Sequence, residues 1–109
     1  MTSEVVMALY RPHEGKDSEL RSLIAQHVPS LLRLELITDR PPLLLKAADG
    51  TYVEIFEWVS GAASRSAHEH PEIAHIWEAM EAVADFTNLD SLEEAQRPFA
   101  HFSPVSIGS

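Results

Sequence analysis

The chain has 109 residues, one domain's worth of sequence, and its lack of cysteine excludes disulfides, thiolate metal sites and a thiol nucleophile. Seventeen acidic residues against eight basic ones give a formal net charge of −9, a field that disfavours nucleic acid and anionic membrane surfaces as partners. Residues 1–6 carry no basic stretch leading into an apolar run, and no segment reaches the roughly 18 apolar residues needed to cross a bilayer, so a cytoplasmic protein is expected.

Val5 to Tyr10 is a short apolar run, rich in branched residues and bounded by Arg11-Pro12, which predicts a first strand. From Asp17 or Ser18 the period changes. Leu20, Leu23, Ile24 and Val28 recur at the spacing of one buried helical stripe, and Pro29 is expected to close that helix. Leu31 to Lys46 reads as two extended pieces separated by a turn at Asp39-Arg40-Pro41-Pro42, and Ala48-Asp49-Gly50 is a second turn signal.

Thr51 to Val59 is dense in β-branched and aromatic residues and predicts a strand apolar on both faces. Alternation places Val53, Ile55, Glu57 and Val59 on one face and Tyr52, Glu54, Phe56 and Trp58 on the other. Ser60 is a candidate cap for a helix reaching about Glu69, and Pro71 suits the first turn of a renewed helix. In that second helix Ile73, Ile76, Trp77, Met80, Val83 and Ala84 form one stripe. A short helical turn follows from Asn88 through Gln96, Phe99 to Ser103 is expected to be the last strand, and the tail from Pro104 to Ser109 is expected to be loose.

The order β-α-β-β-α-β closes a four-stranded antiparallel sheet with both helices on one face. The other face is left greasy, which soluble monomers rarely tolerate. Two copies packed face to face would bury it.

Tyr52 to Trp58, followed by Ala62-Ala63, Ala67-His68 and Pro71 to Trp77, resembles the dimeric α/β-barrel superfamily that includes the antibiotic-biosynthesis and quinol monooxygenases. With the first and last strands included, the resemblance covers most of the chain as a single domain, its ordered core at about 4–104. It implies an α+β, ferredoxin-like subunit that forms a homodimeric barrel, with a pocket between sheet and helices. It further implies cofactor-independent oxidation of a small aromatic or quinol compound, without metal or flavin. Heme-degrading relatives use an asparagine on the first strand, and Val5 to Tyr10 has none. The alternative reading is a non-catalytic small-molecule-binding or structural homodimer, because fold alone does not determine function.

His68 matches the superfamily's Ala-His pair, and a neutral imidazole there would accept a phenolic proton. Glu54 and Glu57 point to opposite faces of their strand, so one of them is directed into apolar surroundings and must be paired or protonated; Arg33 and His101 are the candidate partners. Glu35 carries the same ambiguity on the preceding stretch. Trp58, Phe56 and Trp77, with Tyr52, Phe99 and Phe102, are candidates to wall a pocket for a flat ligand, and Tyr10 and His101 to supply polar contacts at its mouth. His68, His70 and His75 lie close together, but no carboxylate completes a recognised metal spacing, so no metal is expected.

Overall fold

The computed structural model describes residues 2–106. Five strands, β1 (Glu4–Pro12), β2 (Leu43–Lys46), β3 (Tyr52–Trp58), β4 (Ala84–Phe86) and β5 (Ser103–Pro104), form one sheet in the order β4-β1-β3-β2-β5. Every neighbouring pair is antiparallel. Helices α1 (Asp17–Arg33), α2 (Gly61–Ser66) and α3 (Pro71–Val83) complete the fold, with α1 and α3 packed together.

The alternation of β3 holds as read. Tyr52, Phe56 and Trp58 join the helix-side core with Leu20, Ile24, Leu31, Ile73, Ile76 and Met80. Each such fully buried aliphatic side chain contributes about 1.5–3 kcal/mol. Ser60 caps α2, its Oγ accepting from the Ala63 amide at 3.1 Å, and Pro71 opens α3.

Five expectations need correction. Helix α1 does not end at Pro29 but continues to Arg33. Its last turn carries Leu31, which is fully buried, and the helix closes beyond it in a Schellman motif. The Leu36 amide bonds to the Leu31 carbonyl and the Glu35 amide to that of Leu32, both at 3.0 Å, with Glu35 at φ 60°. A glutamate in that left-handed position hides a signal that glycine normally gives. Leu31 to Lys46 accordingly holds one strand, β2, and a single bridge from Ile37 to Trp58.

Ala84 is also misread by its helical spacing. The chain passes directly from α3 into β4 there, and Phe86 pairs with Tyr10 across β1. The fourth strand of the βαββαβ core is therefore Ala84–Phe86 and not Phe99 to Ser103. Phe99 is 81% exposed, and only Ser103–Pro104 pairs, at the outer edge of β2. The expected loose tail is thus paired at Pro104, and its residues 107–109 lie outside the described residues.

The second sheet face is covered at one end, where Leu92 and Phe102 pack with Leu9, Ala47 and Val53. At the other end Val5, Met7 and Leu43 are 59%, 42% and 57% exposed. Met7 and Leu43 both register with Ile55, so these side chains form a continuous apolar row across three strands. Among the described residues no helix is long and apolar enough to cross a membrane.

Candidate functional site

Glu54 lies in the middle of β3 on the helix-facing side, and it is fully buried. The hydrogen-bond chain that ends on it draws on three other elements. In β1, Tyr10 registers with Tyr52, so its long side chain reaches Glu54 diagonally; the hydroxyl donates to Glu54 Oε1 at 2.7 Å. From α1, His27 Nδ1 meets the same oxygen at 2.9 Å. From α3, Trp77 Nε1–H donates to His27 Nε2 at 2.9 Å.

An indole nitrogen can only donate, so His27 Nε2 must accept, and the Nδ1–H of the same ring then donates to Glu54. The hydrogen-bond chain thereby defines the tautomer. Glu54 Oε2 is buried without a hydrogen-bond partner among the described residues. Burial, followed by the adjacent Glu54 charge and hydrogen bond, raises the Tyr10 hydroxyl well above the ordinary tyrosine value, so it remains a donor.

This network borders a cavity of ≈ 350 Å³ between the sheet and the helices. Phe56, Trp58 and Val6 form apolar wall, Tyr10, His27 and Trp77 bring the network to it, and Phe86 and Thr87 of the β4 segment add a further side. The ring contacts are edge-to-face, with centroids 5.2 Å apart for Phe56–Trp58 and 5.6 Å for His27–Phe56. His68 lines the cavity from an exposed position after α2, its ring 4.8 Å from that of Trp77.

The structure thus brings together five of the side chains singled out in the sequence, Tyr10, Phe56, Trp58, His68 and Trp77, with Glu54 behind their wall. It separates the others. Glu57 lies on the opposite sheet face, where Thr38, Arg40 and Ser3 hold it by hydrogen bonds and keep its carboxyl below the ordinary value. His101 is exposed in the C-terminal segment and does not line the cavity. Neither Arg33 nor His101 partners Glu54; Arg33 pairs with Glu72 across α1 and α3. Glu35 is exposed in the α1 cap and joins no site. Tyr52 points its hydroxyl to Asp17 at 2.7 Å, and burial and that bond push it up to about 12. Phe99 and Phe102 lie outside the wall.

His27 was the residue that sequence reasoning passed over. Its signal was present: it stands within the stripe Leu20, Ile24, Val28, Leu31, three residues after Ile24 and four before Leu31, where an apolar residue belongs. A titratable residue in a core position asks for a buried partner. Among the described residues no group of three His, Asp or Glu side chains could hold a metal ion.

A five-stranded antiparallel sheet with helices packed on one face and a cavity beneath them is a ferredoxin-like α+β fold. SnoaB, a cofactor-independent oxygenase from Streptomyces nogalater, shares this fold with a TM-score of 0.68 at 21% identity, over 80% of the present chain and 88% of its own. No protein-family profile and no curated protein matches the sequence significantly.

Proposed function

We propose that the protein is a cofactor-independent, monooxygenase-like enzyme that oxidises a small hydroxyaromatic or quinol compound in the cavity beneath α1 and α3. The observation that carries this reading is the cavity itself. It has the ≈ 350 Å³ needed for a ligand of one to three rings, aromatic walls, and a few convergent polar groups at Tyr10, His27 and His68. The likeness of its fold to an oxygenase that works without a cofactor supports the same assignment.

In this scheme the substrate ring lies against Phe56, Trp58 and Trp77, and the site removes its hydroxyl proton. The resulting electron-rich anion reacts with dioxygen. Conversion of a phenol to a quinone takes one dioxygen, leaves one oxygen atom on the ring carbon, and releases the other as water with two hydrogens from the substrate. Dioxygen is the oxidant, and the protein contributes placement, an apolar shell and the proton acceptor. The apolar row through Met7, Ile55 and Leu43 supports a homodimer joined through its open sheet face.

The test is dioxygen uptake and product mass across a panel of quinols and polyphenols. Uptake above autoxidation, with one oxygen atom gained per turnover, is the expected result. Ligands that bind without any uptake would overturn the reading in favour of a small-molecule-binding protein.

A further inference from the structure

Resting on the reading that the cavity takes a hydroxyaromatic, the geometry points to His27, backed by Glu54, as the base that removes the substrate's hydroxyl proton. Trp77 holds His27 in the tautomer whose Nε2 carries a lone pair, and both residues line the cavity. On the far side of the ring, Nδ1–H donates to Glu54 Oε1 at 2.9 Å. A carboxylate in that position orients an imidazole and stabilises the imidazolium it becomes.

The unpartnered Oε2 decides why the pair is suited to catalysis and not only to packing. Glu54 is fully buried, and the donors it has, Tyr10 and His27, both serve Oε1. At rest the carboxylate is under-compensated. A positive charge on His27 is the partner it lacks, so the site interacts more strongly with the proton-transferred state than with the resting one. Tyr10 does not compete as the base, because burial beside Glu54 keeps its hydroxyl protonated. His68, by contrast, is exposed, and none of its hydrogen-bonding atoms meets a carboxylate among the described residues.

In the step itself, the substrate hydroxyl takes the place of the Trp77 indole at His27 Nε2. The substrate O–H bond breaks, its electron pair stays on the substrate oxygen, and the proton bonds to Nε2. Glu54 keeps its charge and its bond to Nδ1–H. No oxidant enters this step, so it proceeds without dioxygen. Trp77 is a positioning residue that holds the lone pair in register until the substrate displaces it.

The experiment is anaerobic binding of 4-nitrophenol, at a pH one unit below that phenol's own pKa, to the full chain labelled with 15N. The expected result is a yellow nitrophenolate band on binding, together with a move of the His27 Nε2 resonance from the unprotonated to the protonated range. His27→Gln and Glu54→Gln should each still bind the probe while cutting the bound phenolate fraction at least tenfold. A wild-type His27 Nε2 that stays unprotonated while the probe binds would overturn the proposal, whatever the variants do; so would a band that persists in folded His27→Gln. Absence of any binding would overturn the cavity reading and this one together. Phenolate formation without oxygen uptake from any quinol would sink the oxygenase reading and leave the base assignment standing.

Discussion

Replacing Tyr10 by phenylalanine tests whether the buried network is a real energetic unit. The substitution keeps the ring that packs 5.5 Å from Phe86 and deletes only the hydroxyl that donates to Glu54 Oε1 at 2.7 Å. Both residues are buried, Tyr10 at 5% exposure and Glu54 at 0%, so water does not supply a replacement donor. A hydrogen bond to a charged acceptor contributes about 1.5–3 kcal/mol, and Glu54 has one oxygen unpartnered already, so a loss of about 2 kcal/mol is expected. Unfolding entropy of about 2.1 cal/mol/K per residue over 109 residues is roughly 0.23 kcal/mol/K, which converts that loss to a Tm lower by roughly 9 °C. The assay is thermal and urea unfolding at fixed protein concentration, with Tyr52→Phe as the internal comparison. Tyr52 also donates at 2.7 Å, but its acceptor Asp17 has a side chain 45% exposed, and water takes over there, for a cost below about 1 kcal/mol. A Tyr10→Phe protein within about 0.5 kcal/mol of wild type, or one no less stable than Tyr52→Phe, refutes the reasoning.

Glu35→Gly should stabilise the protein by about 0.5–1 kcal/mol, because the left-handed φ of 60° is strained for glutamate and free for glycine; an unchanged or lower urea midpoint would contradict the cap assignment. Thr38, Arg40 and Ser3 hold the Glu57 carboxyl below its ordinary 4.5, so its contribution to stability is complete above pH 4.5 and drains away as the pH falls through the depressed folded value. Wild type should therefore lose stability more steeply below pH 4.5 than Glu57→Gln does, and parallel acid limbs would rule this out. Met7→Glu places a charge in the middle of the open apolar row and should turn a dimer into a folded monomer in sedimentation; a wild-type chain that sediments as a monomer would end the dimer proposal.

Much of the architecture is written locally. Alternation along Tyr52 to Trp58 separates Glu54 from Glu57, and the recurrence of Ile73, Ile76, Met80 and Val83 defines the buried face of α3. These periods need no knowledge of the rest of the chain, since they say only which side of an element is dry. They carried the α+β class and, of the aromatic side chains that wall the cavity, Phe56, Trp58 and Trp77 but not Phe86.

Tertiary structure decided what meets in the dry interior. His27 and Glu54 are 27 positions apart, Tyr10 and Glu54 44, and Trp77 and His27 50, and no local period links them. Their meeting depends on the β1–β3 register and on the packing of α1 against α3. The fate of Ala84 was likewise undecided by its own neighbourhood, because a small apolar residue suits a helix stripe and a strand equally. The open edge of β1 settles it: the unpaired backbone groups there are satisfied by Ala84–Phe86, whereas Phe99 stays in solvent. A sequence states which residues avoid water; which buried donor finds which buried acceptor is settled only when the strands and helices have taken their places.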